Sequence, residues 1–294
     1  MEKLYLIKKP LTSAKLDLKR ILKELFQEPF ELHAMSGGDT GSAFTMVTNK
    51  RKAFLKVYTD DLHNEMVNAE VLGLNTLSES QVNVPRLLHK ELRDDFSFLA
   101  LEWIEESAVH DPIKMANQLV KMHKTRANHF GFGETTFVGS VLQTNHWDKN
   151  WVSFWWEQRI EPLWGELKIH GDSYLNECMM AVEENKTNLF PEEPPSLIHG
   201  DLWGGNVLPS SDQECYLIDP GAYYGHREMD LAMLTLFSDF REVIQEYNKQ
   251  LPLKQDWQNR VYLFQLYPLL VHWKLFGLGY KEQIELAFRK AGYK

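Results

Sequence analysis

Only two cysteines, Cys178 and Cys215, occur in the 294 residues. Neither a disulfide framework nor a four-cysteine zinc site can be assembled from two thiols, so a reduced, cytoplasmic setting is the expectation. Basic charge is also short: 32 Lys and Arg stand against 41 Asp and Glu, for a formal net charge of −9. A chain of that sign repels polyanions unless its cations gather on one face, which argues against nucleic acid and anionic membranes as partners. Long apolar runs are missing as well. A bilayer span needs roughly 18 uncharged apolar residues, and the longest candidate, 261–280, is broken by Pro268, His272 and Lys274. The first residues mix Glu2 and Asp17 with basic ones and lack the apolar centre of a signal peptide. Low-complexity tracts and internal repeats are absent too, and a chain of this length is expected to hold one or two domains with a substantial core.

What is present divides in two. Leu18, Ile21, Leu22, Leu25 and Phe26 recur at helical spacing and predict a short N-terminal helix. Runs 31–35, 43–48 and 53–58 are rich in aromatic and aliphatic residues between turn residues, and read as three antiparallel strands. A helix over 62–77 follows, then extended runs at 82–89 and 97–104. From Asp111 onward helical patterns dominate, over 113–126, 151–167, 173–189, 228–240 and 256–276, with one extended island at 196–220. The change near Ser107 predicts a boundary, with an N-lobe of sheet plus helix over 1–106 and a mainly helical C-lobe over 107–294.

The island carries the chemistry. In Leu197-Ile198-His199-Gly200-Asp201-Leu202-Trp203-Gly204-Gly205-Asn206, an Asp stands two residues after a His and five before an Asn, and Asp219 follows thirteen residues later at the end of an apolar run. Phosphoryl transfer to a hydroxyl needs this set: one carboxylate to meet the acceptor and take its proton, and an amide oxygen and a second carboxylate to hold magnesium against the phosphates. Asp201 is the candidate base, and Asn206 and Asp219 the candidate Mg2+ ligands, since a hard cation prefers oxygen donors. His199 is expected to brace the loop.

Such chemistry also needs a lysine to neutralise nucleotide phosphates. Lys56, amid apolar neighbours in 54–58, is the candidate, with Glu70 preferred over Glu65 as its carboxylate. Between the first two strands lies Ser36-Gly37-Gly38-Asp39-Thr40-Gly41-Ser42, where small residues let backbone N–H groups approach phosphate oxygens; Gly37, Gly38 and Asp39 are the candidates. The Glu102 carbonyl and Ile104 N–H, at the end of the last strand, are placed to meet adenine. The whole pattern predicts an α+β, bilobal, protein-kinase-like fold that uses ATP.

The stretch 197–207, Asp219-Pro220, and Tyr224-Gly225-His226-Arg227-Glu228-Met229-Asp230-Leu231-Ala232 resemble the fructosamine kinase (ketosamine-3-kinase) family, as do Glu70-Val71-Leu72-Gly73-Leu74 and the tryptophan-rich segment Asn145 to Ile160. The resemblance covers nearly the whole chain. It implies phosphorylation of the sugar 3-hydroxyl of ketosamines, small or protein-bound, by which glycation adducts (ribulosamine, erythrulosamine or fructosamine) are made labile. It implies further that Asp230, with Arg227 and Glu228, supports the catalytic loop, and Trp203 is placed to pack on a sugar face. Two departures stand out. Gly221 replaces an alanine common in relatives, which should be harmless, and the nucleotide loop lacks the cysteine that supports redox-switched dimers in some relatives; a monomer is favoured.

Charge pairs Glu105-Glu106 and Glu192-Glu193 read as solvated surface, Trp155-Trp156 as one core and one partly exposed ring, and both cysteines as buried thiols. Two other functions stay open: a kinase for another hydroxylated amine, such as an aminoglycoside or choline, and a nucleotide-binding pseudokinase.

Overall fold

The computed structural model describes residues 12–35, 42–167 and 172–293. The chain divides into two compact units, 1–71 with 85–104, and 72–84 with 105–294. The sequence boundary after residue 106 does not anticipate that 72–84 groups with the second unit. The reason is packing: Leu77 and Val82 share a buried cluster with Met115, Leu119 and Leu217.

In the first unit, helix α1 (Thr12–Phe26) precedes strands β1 (Phe30–Ala34), β2 (Ser42–Thr48) and β3 (Lys52–Tyr58). Helix α2 (His63–Glu79) begins here, and β4 (Leu87–Leu92) and β5 (Ser97–Glu102) complete an antiparallel sheet of order β1-β2-β3-β5-β4. The β2–β3 turn closes on Thr48, whose N–H donates to Arg51 O at 2.9 Å while its hydroxyl accepts from Arg51 N at 3.0 Å. One sheet face and α1 bury Leu18, Leu22, Met46, Leu55, Phe98 and Ala100 together. Each fully buried Leu or Phe there contributes about 1.5–3 kcal/mol. The residues from Val82 to Arg86 are irregular, so the strand expected from 82 starts only at Leu87.

The second unit is mainly helical. Helix α3 (Pro112–Lys124) starts where Asp111 accepts from Ile113 N at 2.9 Å and Pro112 fixes the first turn. A small hairpin, β6 (Thr136–Val138) and β7 (Val141–Gln143), comes next. Helix α4 (Trp151–Trp155), capped by Asn150, runs through a π-helical turn at Trp156–Ile160 into α5 (Glu161–Leu167). Helix α6 (Ser173–Asn185) leads to β8 (Ser196–Ile198), β9 (Val207–Pro209), β10 (Cys215–Leu217) and β11 (Tyr223–Gly225). The last helices are α7 (Glu228–Leu234), α8 (Arg241–Gln250), α9 (Trp257–Phe276) and α10 (Lys281–Lys290). Buried residues run without a break from Leu263 to Val271 along α9, all apolar but Gln265, whose amide donates to Ala232 O at 3.0 Å, and this stretch is buried on every side and forms the core of the unit with Phe154, Trp155, Tyr223 and Phe288. Both Trp155 and Trp156 are buried, so neither is the exposed ring expected from the sequence. Among the described residues no helix is long and apolar enough to cross a membrane.

Candidate active site

The extended island folds as two strand pairs that hold a loop between them. β8 pairs with β11, Ile198 opposite Tyr223, and β9 pairs with β10, Val207 opposite Leu217. The loop from His199 to Asn206 is thus anchored at both ends, by β8, whose residues are all buried, and by the β9–β10 pair, where Val207, Cys215 and Leu217 are buried.

The inner side of the loop hangs on one carboxylate. Asp230, the third residue of α7, accepts the His199 N–H at 2.7 Å and the Gly200 N–H at 3.0 Å. The same side chain accepts from His123 Nε2 on α3 at 3.2 Å. Since the carboxylate only accepts, His123 carries its proton on Nε2, and its Nδ1 accepts the Tyr247 hydroxyl at 2.8 Å. Arg227 Nη1 donates to that hydroxyl at 3.3 Å, and its guanidinium grips Glu193 through bonds of 2.6 and 2.8 Å. Glu193 is therefore buried structure rather than solvated surface. Burial would raise its pKa, but the Arg227 hydrogen bond with the nearby positive charges holds it below the ordinary carboxylate value. Glu228 makes a similar pair with Arg260, at 2.7 Å.

His199 braces the loop as expected. Its Nε2 donates to Ile218 O at 2.9 Å and its Nδ1 accepts Asp201 N at 3.3 Å, so a single neutral tautomer satisfies both contacts. Burial pushes its pKa down, as it does for His123.

Asp201 and Asn206 face each other across the loop. The Asn206 side-chain NH2 donates to Asp201 O at 2.8 Å and to Asp201 Oδ2 at 3.2 Å. With nitrogen committed there, the amide presents its oxygen on the other side, the donor a hard cation requires. The Asn206 backbone carbonyl accepts Ile218 N at 3.1 Å, which puts the next residue, Asp219, beside it across the β9–β10 pair. Asp219 has φ of 55°, a left-handed conformation that Asp tolerates better than bulkier residues and that cannot be relaxed freely before Pro220. The backbone bond thus brings a residue with an amide oxygen next to one with a carboxylate, oxygen donors of the kind that fit Mg2+.

Glycine matters at two places. Gly200 has φ of +79°, and a Cβ there would lie 2.3 Å from Gly221 O. At Gly221 a Cβ would lie 2.6 Å from Phe137 O and 2.8 Å from Gln143 Nε2, which itself donates to Gly221 O at 3.2 Å. Alanine at 221 is therefore not harmless in this chain. The β6–β7 hairpin that makes the position tight was not foreseen, although Thr136-Phe-Val-Gly-Ser-Val-Leu-Gln143 alternates around a Gly-Ser turn. Trp203 packs its ring over Gly205 and is 38% exposed.

In the first unit Lys56 on β3 meets Glu70 on α2 at 3.0 Å, both 6% exposed. The Tyr58 hydroxyl donates to the same carboxylate oxygen, and Lys56 Nζ lies 5.4 Å from the Tyr58 ring centre. Glu70 rather than Glu65 is thus the partner. Desolvating two charges offsets most of the Coulomb gain of such a pair, so its placement is better explained by a task for the ammonium than by stability. Glu102 is the last residue of β5, and Ile104 follows in irregular backbone. Gly37, Gly38 and Asp39 lie outside the described residues.

A sequence profile of the fructosamine kinase family matches residues 15–291. A Vibrio parahaemolyticus protein assigned as a ketoamine kinase is 34% identical over 265 residues, covering 87% of this chain and 90% of that one. The chloroplastic protein-ribulosamine 3-kinase of Arabidopsis thaliana is 30% identical over 263 residues, covering 85% and 79%. A crystal structure from Thermobifida fusca, assigned as a fructosamine-3-kinase, superposes with a TM-score of 0.82 at 32% identity, covering 92% of this chain and 97% of that one.

Proposed function

Because this chain belongs to the fructosamine kinase family, we propose that it transfers the γ-phosphoryl group of ATP to the 3-hydroxyl of the sugar part of a ketosamine, free or on a protein. Phosphorylation there makes the adduct labile and repairs glycation. The observation that supports the reading is the locked pair in the candidate catalytic loop, where the Asn206 NH2 is bound to Asp201 and its amide oxygen is left facing away from that bond.

In this reading Asp201 orients the acceptor hydroxyl and takes its proton as transfer proceeds, an acceptor-only group whose backbone N–H is held by His199 and whose preceding residue, Gly200, is held by Asp230. Asn206 and Asp219 would hold magnesium, which supplies neutralisation of phosphate charge. Lys56, kept in place by Glu70, pairs with the nucleotide phosphates, and Gly37, Gly38 and Asp39 offer them backbone N–H groups. Glu102 and Ile104 present carbonyl and N–H to adenine. Trp203 gives the sugar a ring to pack against. Most of the rate comes from alignment and charge complementarity prepared before substrate arrives. The protein acts as a monomer in the cytoplasm, a setting supported by two buried free cysteines.

The test is ADP release by purified protein with and without Mg2+, on ribulosamine, erythrulosamine and fructosamine derivatives of lysine, with choline and kanamycin as controls. Saturable turnover on a ketosamine that disappears in Asp201→Asn supports the reading and ranks the sugars. Turnover on choline or kanamycin alone moves the acceptor, and silence on every compound leaves a nucleotide-binding protein without this activity.

A further inference from the structure

Gln143, at the end of β7, is 1% exposed, and both ends of its amide are committed. Nε2 donates to the hydroxyl of Thr136, its partner across the β6–β7 pair, at 3.1 Å and to Gly221 O at 3.2 Å. Oε1 accepts the hydroxyl of Tyr267 on α9 at 2.9 Å. That last bond decides which way the amide faces. Burial pushes the Tyr267 pKa up, against the pull of Arg159, and the charge of Asp201 adds to the rise, so the hydroxyl keeps its proton and donates it. With its oxygen drawn to Tyr267, the amide turns its NH2 to Gly221. A leucine would fill this space without the cost of desolvating an amide, so the residue is better explained by the bonds it makes than by packing.

The carbonyl that Gln143 holds adjoins both halves of the candidate site. Gly221 comes two residues after Asp219. Its oxygen packs so closely on Gly200, the residue before Asp201, that a Cβ there would lie 2.3 Å from it. On the other side of Asp219, the Ile218 N–H donates to Asn206 O at 3.1 Å. Asp219 therefore stands between one backbone hold before it and one after it. It does so at a φ of 55°, a conformation that persists only where the surroundings over-determine it. The first hold comes from the loop of Asp201 and Asn206, and the second comes from Gln143. The chain just beyond Gln143 is fixed in turn by the fully buried Arg159, which donates to Thr144 O at 2.7 Å and to the Asn145 side chain. Asn145 Nδ2 donates back to the Thr136 hydroxyl at 2.9 Å.

We propose that Gln143 is a positioning residue for the metal-binding turn: its amide, oriented by Tyr267, holds the Gly221 carbonyl and so keeps Asp219 presented as a ligand beside Asn206. The proposal rests on the reading of Asp219 as a Mg2+ ligand and deepens it. Removing a group that supports a metal ligand commonly weakens metal binding by about tenfold to a hundredfold. Gln143 acts through the backbone two residues away, so the lower end of that range applies.

Three substitutions in the full-length protein test it. Gln143→Met keeps the volume and removes the donor, and Tyr267→Phe leaves the amide in place but free to turn. Thr136→Val removes another partner of the same amide while sparing the Gly221 bond, and controls for general weakening of the hairpin. Mn2+ binding is followed by EPR of the free ion with ADP present, against ADP alone, and initial rates are measured over Mg2+ concentration with a ribulosamine derivative of lysine. Gln143→Met should bind Mn2+ about tenfold more weakly and need correspondingly more Mg2+ for half-maximal rate, with turnover restored by excess Mg2+ and the ketosamine KM unchanged. Tyr267→Phe should shift the same way by less, and that shift alone decides if Gln143→Met does not fold. Thr136→Val should lower Tm and leave Mn2+ binding as in wild type. Equal weakening in Thr136→Val, or Mn2+ affinity kept in Gln143→Met while Asp219→Asn loses it, overturns the proposal. If Asp219→Asn binds Mn2+ as wild type does, the metal reading fails and amide hydrogen exchange in the metal-free protein decides the rest. Faster exchange at Gly221 and Ala222 in Gln143→Met then keeps Gln143 as the support of the turn, and unchanged exchange removes it.

Discussion

Replacing Asp230 by asparagine exchanges one carboxylate oxygen for an NH2 and removes the charge, at a residue only 1% exposed. The wild-type side chain accepts three hydrogen bonds, from His199 N at 2.7 Å, Gly200 N at 3.0 Å and His123 Nε2 at 3.2 Å. Asparagine offers one acceptor oxygen. Its better orientation keeps that oxygen where both His199 and His123 point, which turns the NH2 toward the Gly200 N–H. One charge-assisted bond is then lost and a buried donor is left unpaired, at about 1.5–3 kcal/mol. The two surviving bonds fall from charged to neutral strength, roughly half. The sum is about 3–5 kcal/mol, or a Tm lower by about 10 °C at about 2–4 °C per kcal/mol for a domain of this size. Thermal unfolding followed by circular dichroism measures it. Turnover should drop at least tenfold below the new Tm, because Gly200 holds the backbone on which Asp201 stands, while nucleotide affinity changes little. A Tm within about 2 °C of wild type, with activity retained, would refute the idea that one carboxylate suspends the loop.

Acid should destabilise the fold through three histidines. Burial lowers the pKa of His123, His199 and His226 from 6.5, the last to about 3. Below pH 6.5 the unfolded chain takes up protons that the folded one refuses, so the stability these histidines contribute is full above that value and is lost as the pH falls below it, most clearly for His226, whose folded pKa of about 3 lets the loss approach about 1.4 kcal/mol per pH unit. A Tm that stays level from pH 7 to pH 5 contradicts this. Gly221→Ala drives a Cβ to 2.6 Å from Phe137 O, and should cost about 1–3 kcal/mol in a denaturant titration. Asp219→Asn, which tolerates the positive φ, should leave Tm nearly unchanged while Mg2+-dependent turnover drops more than a hundredfold. Lys56→Met should raise the KM for ATP and lower kcat with no change in affinity for the acceptor, measured by initial rates.

The spacing of His199, Asp201, Asn206 and Asp219 made legible that these residues share one loop and its neighbouring strand pair, where His199 braces the loop and Asn206 bonds Asp201. Lys56 and Glu70 were legible for the same reason, with the strand and helix patterns around them. The supports were not. Tyr247 looks like any apolar-face residue of an amphipathic helix, and α8 itself was missed because its polar composition hides a narrow stripe of Val243, Ile244 and Tyr247. His123 is a polar residue on the buried side of α3, a signal that could have been noticed, since buried polar groups demand partners. The helix expected to continue to residue 240 stops at Leu234, where the chain turns to lay Ser238 and Phe240 on Gly204. Glu193 was misread because acidic pairs usually face water, and its partner Arg227 lies 34 residues on.

The nesting of Gly200 against Gly221, and of Gly221 against Phe137, couples the changes these sites can accept. A methyl group at 221 can enter only after the 136–143 hairpin has withdrawn, and one at 200 only after 221 has moved. Substitutions at the three places are therefore not interchangeable steps. In this chain an alanine at 221 should be accepted only together with a change in the 136–143 hairpin, so that substituting either alone fails where substituting both succeeds.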